Sequence, residues 1–317
     1  MANSPMMPFR RLKRRWRVNL SCHPRAQLRW NINCGEAAWG PRLVFFVMQT
    51  IKKNKRPDWV PAFAGMTVIL GGLLLISHAS IASTPGPKPM IAIVIDDMGV
   101  DLKRSAQALD LPPAVTMSYL PYSRKITEQV KAAKDKGHEV ILHMPMQAEN
   151  PKEDPGPHHL TVSMTPAQLE ENIAASLDAF QGYDGVNNHE GSKFTTYKPG
   201  LDIFMADLEK RHVFFLDSRT SPQTVAEQVA KEHHLPATHR DVFLDDVETT
   251  GAVVESLDRA EAVARKTGSV IAIGHPKDAT LASLKPWLAA LEAKGFQIVP
   301  LSTVVEYRNQ VCVVMAR

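Results

Sequence analysis

Cysteine is scarce in this chain: there are three in 317 residues, and two of them, Cys22 and Cys34, fall within the first 83. Beyond residue 83 only Cys312 remains, which excludes an intrachain disulfide and a cysteine-built zinc site from that part of the protein. Acidic residues are just as rare at the start, where residues 1–83 contain Glu36 and Asp58 alone against 13 Lys and Arg. The net charge of +4 therefore hides an acidic body, since residues 84–317 carry 24 basic and 31 acidic groups, a net of −7. No nucleic-acid-binding surface is expected of such a body. A Gly-rich phosphate loop and an internal repeat are also missing. What is present, 44% hydrophobic and 22% charged residues, excludes a disordered, collagen-like or disulfide-miniprotein class. It suffices for one or two domains with a full core.

The N-terminal stretch has the order of an export signal. Lys52-Lys53-Asn54-Lys55-Arg56 precedes a largely apolar run from Trp59 to Ile76, and small residues from Ser77 to Ser83 follow. Small residues two apart set the expected cleavage point at Ser80 and Ala82. An uncleaved membrane anchor is the minor alternative, because about 18 apolar residues just span a bilayer. Either way the body is expected in the periplasm or another extracytoplasmic space, with the positive flank inside. Residues 1–47, with the cluster Arg10 to Arg17 and no apolar period, have no place in such a signal. A start at Met48 accounts for them most simply, and a basic cytoplasmic tail is the alternative. The expected organisation is an extension at 1–47, a signal or anchor at 48–83, a Pro-rich linker at 84–89, a body at 90–305 and a tail at 306–317.

In the body, short apolar runs alternate with helix-period stretches. The runs are Ile91 to Ile95, Ala114 to Leu120, Val140 to His143, Gly185 to Asn188, Val213 to Leu216, Val242 to Leu244, Val270 to Ile273 and Phe296 to Val299. Amphipathic stretches separate them, such as Thr165 to Phe180, opened by an N-cap and a proline at the first helical position. Seven or eight such units predict a parallel α/β sheet, closed into a barrel or open and doubly wound.

Reactive side chains fall where the runs end. Asp96 and Asp97 follow the first, His143 ends the third, His189 follows the fourth, Asp217 the fifth, Asp245 and Asp246 the sixth and His275 the seventh. In a parallel barrel these ends share one face, the face of catalysis. Of the adjacent Asp96 and Asp97, one can bind a cation while the other takes a proton; an N-capping turn would explain one carboxylate but not both. Asp97, His143 and His189 would form a His₂-carboxylate set with open positions, the usual form of catalytic zinc and other divalent-metal sites. A core histidine bonded to backbone and an ordinary loop histidine are the plain readings of His143 and His189. His275 is a candidate acid or base. Arg219, in Asp217-Ser218-Arg219, could grip an anionic group or orient a carboxylate. Arg240 and Asp241 could pair at a barrel end. His158-His159 and His233-His234 read as solvent-facing.

Taken in order, Ile95-Asp96-Asp97, Leu142-His143-Met144-Pro145-Met146, Gly185 to Ser192, Phe214 to Ser221, Arg240 to Asp245 and Ala272 to Pro276 resemble the divergent polysaccharide deacetylases, the YibQ-like branch of the NodB-like superfamily. The resemblance covers residues 90 to 305. It implies a deformed seven-stranded (β/α) barrel, secretion to the cell envelope and metal-dependent N- or O-deacetylation of a polysaccharide or peptidoglycan-type substrate. By position, Asp96 resembles the catalytic base, Asp97 and His143 metal ligands, and His275 the histidine that protonates the leaving group. Asp217, Ser218, Arg219, Arg240 and Asp245 are expected at the substrate, and the cofactor is expected to be a divalent metal, zinc in particular. One position departs. Typical members have a second ligating histidine four residues beyond His143, where this chain has Gln147, a poor zinc ligand, leaving His189 to replace it. The competing expectation is a catalytically silent carbohydrate-binding or regulatory protein on the same barrel. An aspartyl phosphotransferase built on Asp96 lacks its Asp-x-Asp layout.

Overall fold

The computed structural model describes residues 86–315, with side chains through residue 310. The expected extension (1–47), the signal or anchor (48–83) and the first residues of the linker lie outside the described residues, as does the side chain of Cys312. Among the described residues no helix is long and apolar enough to cross a membrane.

Strands and helices alternate: β1 (Met90–Met98), α1 (Leu102–Ala108), β2 (Thr116–Tyr119), α2 (Ile126–Asp135), β3 (Val140–Met146), α3 (Pro166–Leu177), β4 (Gly185–Glu190), α4 (Lys198–Arg211), β5 (Phe214–Asp217), α5 (Ala226–Glu232), β6 (Ala237–His239), β7 (Val242–Phe243), α6 (Thr250–Thr267), β8 (Ser269–Gly274), α7 (Asp278–Ala290), β9 (Gln297–Ile298) and α8 (Leu301–Met315). Thr165 caps α3 with a capping box to Gln168, as its sequence predicts. The strand order is β6-β5-β4-β3-β2-β1-β8-β7, with β9 beside β1, and every pairing is parallel.

The two ends of that order meet in one strand. Only Arg240 and Asp241 separate β6 from β7; Arg240 N donates to Asp217 O of β5 at 3.0 Å, and Asp241 N donates to Ile271 O of β8 at 2.9 Å. Successive residues that bond to opposite sides define a strand lying between two neighbours. Residues 237–243 are thus a single strand that pairs first with β5 and then with β8, closing a ring of seven with a two-residue β9 outside it. The deformation of the barrel lies at this change of partner. Arg308 of α8 fills the seam, donating to Thr238 Oγ1, His239 O, Asp241 Oδ2, Ser269 O and Ser269 Oγ at 2.6–3.2 Å. Asp241 is therefore paired with Arg308, and the expected Arg240–Asp241 pair does not form.

Side chains alternate between the helices outside and the lumen inside. Ala92, Val94, Ile141, Phe214, Leu216, Ile271 and Ile273 form the lumen core, sealed from below by Leu301, Val304 and Val305 of α8. Gly185 makes room there, since a Cβ would stand 2.2 Å from the Phe214 ring. The expected tail from residue 306 begins inside α8. The other lumen-facing series ends in polar residues at the opposite mouth, and those residues build the site.

Candidate active site

Following each alternation upward by two residues leads from Val94 to Asp96, from Ile141 to His143, from Gly185 to Asn187 and His189, from Leu216 to Ser218 and from Ile273 to His275. Asp97 should point the other way. It joins the rest because the pairing of β1 with β2 shifts register between Ile95 and Met98, and Asp97 adopts a left-handed φ of 55°. Such a bulge re-aims a side chain, and Asp tolerates the conformation better than most residues. His143 Nε2 consequently lies 3.6 Å from Asp96 Oδ2 and 3.4 Å from Asp97 Oδ1.

Asp97, His143 and His189 form a compact ligand set. Asp97 Oδ1 stands 3.0 Å from His189 Nδ1 and 3.4 Å from His143 Nε2, and the two nitrogens are 3.2 Å apart. Zinc bonds of about 2.0–2.2 Å in tetrahedral geometry separate ligand atoms by about 3.3–3.5 Å, close to these distances. Asp97 Oδ1 is buried and receives no aligned hydrogen bond, the state of an oxygen whose natural partner is a cation. Burial alone would raise the pKa of Asp97, but the two imidazoles hold it far below the ordinary carboxylate range. For His143, burial opposes the charged ring, and Asp96 and Asp97 outweigh it to raise the pKa. The residues present therefore fit a divalent ion with three protein ligands and open positions. Gln147 is not among them. Its Oε1 accepts from Val162 N at 3.0 Å, fixing the loop after β3, and His189 is the residue that groups with Asp97 and His143.

Asp96 is buried, and both of its oxygens accept from Asn187 Nδ2, at 2.9 and 3.0 Å. Asn187 Oδ1 accepts from Ser118 Oγ at 2.7 Å and faces His143 Nδ1 at 2.8 Å. Because an amide oxygen only accepts, the neutral form of His143 would carry its proton on Nδ1, with Nε2 on the side of Asp97 and His189. Ser218 Oγ accepts from the same amide at 3.1 Å.

His275 lies across the mouth, with Nε2 at 3.7 Å from Asp97 Oδ2. Asp245 holds it: Oδ1 accepts from Nδ1 at 2.8 Å, and Oδ2 accepts from His275 N at 2.7 Å and Thr280 Oγ1 at 2.6 Å. Burial disfavours the imidazolium, but the Asp245 hydrogen bond and the charges of Asp97, Asp245 and Asp96 raise the pKa above the ordinary histidine value. Phe243 packs edge-on against the ring at 5.4 Å, and Arg240 lies over Phe243 at 4.9 Å.

The expected substrate contacts divide. Asp245 is corrected: both of its oxygens serve His275 and Thr280, so it positions the histidine. Asp217 is spent on its own loop, accepting from Arg219 N and Thr224 Oγ1. Arg219 directs its guanidinium to Glu227 at 3.8 Å, away from the mouth. Arg240 donates to Ser218 O and Arg219 O; burial lowers its pKa, and Asp96 is the strongest opposing charge. Ser218 thus shares the Asn187 amide with Asp96, and Arg240 is tied to the backbone of the Ser218 loop. His158 is exposed, as expected, whereas His159 and His233 are half-buried, bonded to Gly156 O and Asp202. Sequence reasoning missed the role of Asn187. The available signal was its place two residues before His189 on one strand, which puts both in the lumen.

The profile of the divergent polysaccharide deacetylase family matches residues 93–305. An uncharacterized protein of Haemophilus influenzae is 33% identical over 239 residues, covering 75% of this chain and 83% of that one. The uncharacterized protein YibQ of Escherichia coli is 36% identical over 203 residues, 64% of this chain and 63% of its own length. Among solved structures, an uncharacterized protein from Agrobacterium tumefaciens C58 is 28% identical with a TM-score of 0.67, covering 70% of this chain and 91% of that one. The parallel barrel, the ordered motifs and the matched span agree, and the chain belongs to the divergent polysaccharide deacetylase family.

Proposed function

We propose that the protein is a metal-dependent deacetylase of a cell-envelope carbohydrate, with Asp97, His143 and His189 holding a divalent ion, zinc in particular. The observation that carries the reading is the convergence of those three ligand atoms within 3.0–3.4 Å beside a separate buried carboxylate and a separate carboxylate-bound histidine. When bound, a divalent ion polarises an acetyl carbonyl and acidifies water at the site. Asp96, held by Asn187 and facing the same mouth, takes the proton of the attacking water. His275, protonated on both nitrogens with Nδ1–H fixed by Asp245, donates from Nε2 to the departing amine or alcohol. The pattern at residues 52–83 supports the same assignment by directing the body out of the cytoplasm.

Acetate release from peptidoglycan and N-acetylated amino-sugar oligomers tests the reading. Metal-loaded wild type should release acetate, and Asp96→Asn, assayed at saturating metal, should lose turnover by about 10² to 10⁴. Equal release by Asp96→Asn would reject the base. No release by loaded wild type, with measurable binding to one polymer, would favour a silent carbohydrate-binding protein.

A further inference from the structure

Asn187 is fully buried, and its amide is saturated: two acceptor sites take Ser118 Oγ and His143 Nδ1, and two donors meet Asp96 and Ser218 Oγ. An amide in isolation could sit either way round, with a hydroxyl and an imidazole adapting to both. Asp96 removes that freedom. An ionised carboxylate only accepts, so the nitrogen must face Asp96 and the oxygen must face His143. The oxygen then requires a proton on His143 Nδ1, and the lone pair falls on Nε2, the atom 3.4 Å from Asp97 Oδ1 and 3.2 Å from His189 Nδ1.

We propose that Asn187 is a positioning residue through which the charge of Asp96 fixes the tautomer of His143, so that base and metal ligand are set in their working states by one side chain. The proposal rests on the metal-site reading above and extends it. Asn188, its neighbour, is the contrast: equally buried, it points the other way and bonds Glu190 O and Ser218 N, tying two loops together.

The test uses long-range proton–nitrogen correlation of the histidine rings in the metal-free full chain, above the histidine titration range, together with zinc titration against a competing chelator. Wild-type His143 should be protonated on Nδ1. Asn187→Ala should shift it toward Nε2–H and weaken zinc binding about 10- to 100-fold. Asp96→Asn removes the charge that orients the amide and should release the His143 tautomer from Nδ1–H alone, carrying the test should the alanine variant fail to fold. Asn188→Ala should lower stability with the His143 tautomer unchanged, which separates positioning from packing. A wild-type ring bare at Nδ1, an unmoved tautomer and affinity in Asn187→Ala, or an unmoved tautomer in Asp96→Asn would overturn the proposal. None of these readouts needs turnover. A protein that passes them and releases no acetate refutes only the deacetylase reading, and one that releases acetate and fails them refutes only this inference.

Discussion

Replacing Asp245 by Asn probes the acid side of the mechanism with little change in shape. Its carboxylate is buried and accepts three hydrogen bonds of 2.6–2.8 Å, two of them from His275. At 2.8 Å the attraction between the carboxylate and a protonated His275 is about 6 kcal/mol at an effective dielectric of 20. Burial opposes it, yet the pKa of His275 stays raised, because Asp245 together with the charges of Asp97 and Asp96 outweighs desolvation. An amide removes the charge and turns an NH₂ toward one of the three donors. The pKa of His275 should then fall, and the ring should lose its fixed Nδ1 proton. Activity that requires protonated His275 is present below its pKa and lost as pH rises through it. The alkaline limb of the acetate-release profile should therefore move to lower pH in Asp245→Asn, and kcat at its optimum should drop by about 10² to 10⁴, as losses of a histidine-orienting carboxylate do. Zinc binding should stay within a few-fold of wild type, because Asp245 touches none of the three ligands. An unmoved alkaline limb with near-normal kcat would refute the assignment of His275 as acid and Asp245 as its orienting partner.

His143→Ala and His189→Ala should each lose stoichiometric divalent metal by elemental analysis, while Gln147→Ala and His158→Ala keep it; loss in Gln147→Ala would show that the loop amide matters to the centre. Arg308→Ala should destabilise the barrel by roughly 1–3 kcal/mol in urea unfolding, since it removes the charged donor that spans the seam and leaves Asp241 with Ile271 N and the nearby His239 alone. A change under about 0.5 kcal/mol, the level of an ordinary surface substitution, would contradict the closure by residues 237–243. N-terminal sequencing of the mature protein should find a new end between Ser77 and Pro89. A cytoplasmic protein that still begins at Met1 would reject export.

Much of the mouth was legible because strands have period two and parallel strands share their C-terminal ends. Apolar runs ending in Asp96, His143, His189 and His275 therefore announce one rim. The missed elements carry weak local signals. β6 is three residues, Ala237–His239, without an apolar run, and α1 has seven residues capped by Asp101. α8 continues past the matched span, and its role depends on Leu301, Val304 and Val305 meeting a lumen assembled from distant strands. The roles of Asp245, Gln147 and Asn187 are non-local in the same way. Each is decided by the partner that lies opposite, His275, Val162 or Asp96, and residue type alone does not distinguish a substrate contact from a support.

The central claim is the three-residue metal centre, and an anomalous difference map of zinc-loaded crystals tests it most directly. One peak is expected within about 2.0–2.2 Å of Asp97 Oδ1, His143 Nε2 and His189 Nδ1, with Gln147 still bonded to Val162. A peak that Gln147 coordinates in place of His189, or no peak at this rim under saturating zinc, would contradict the account.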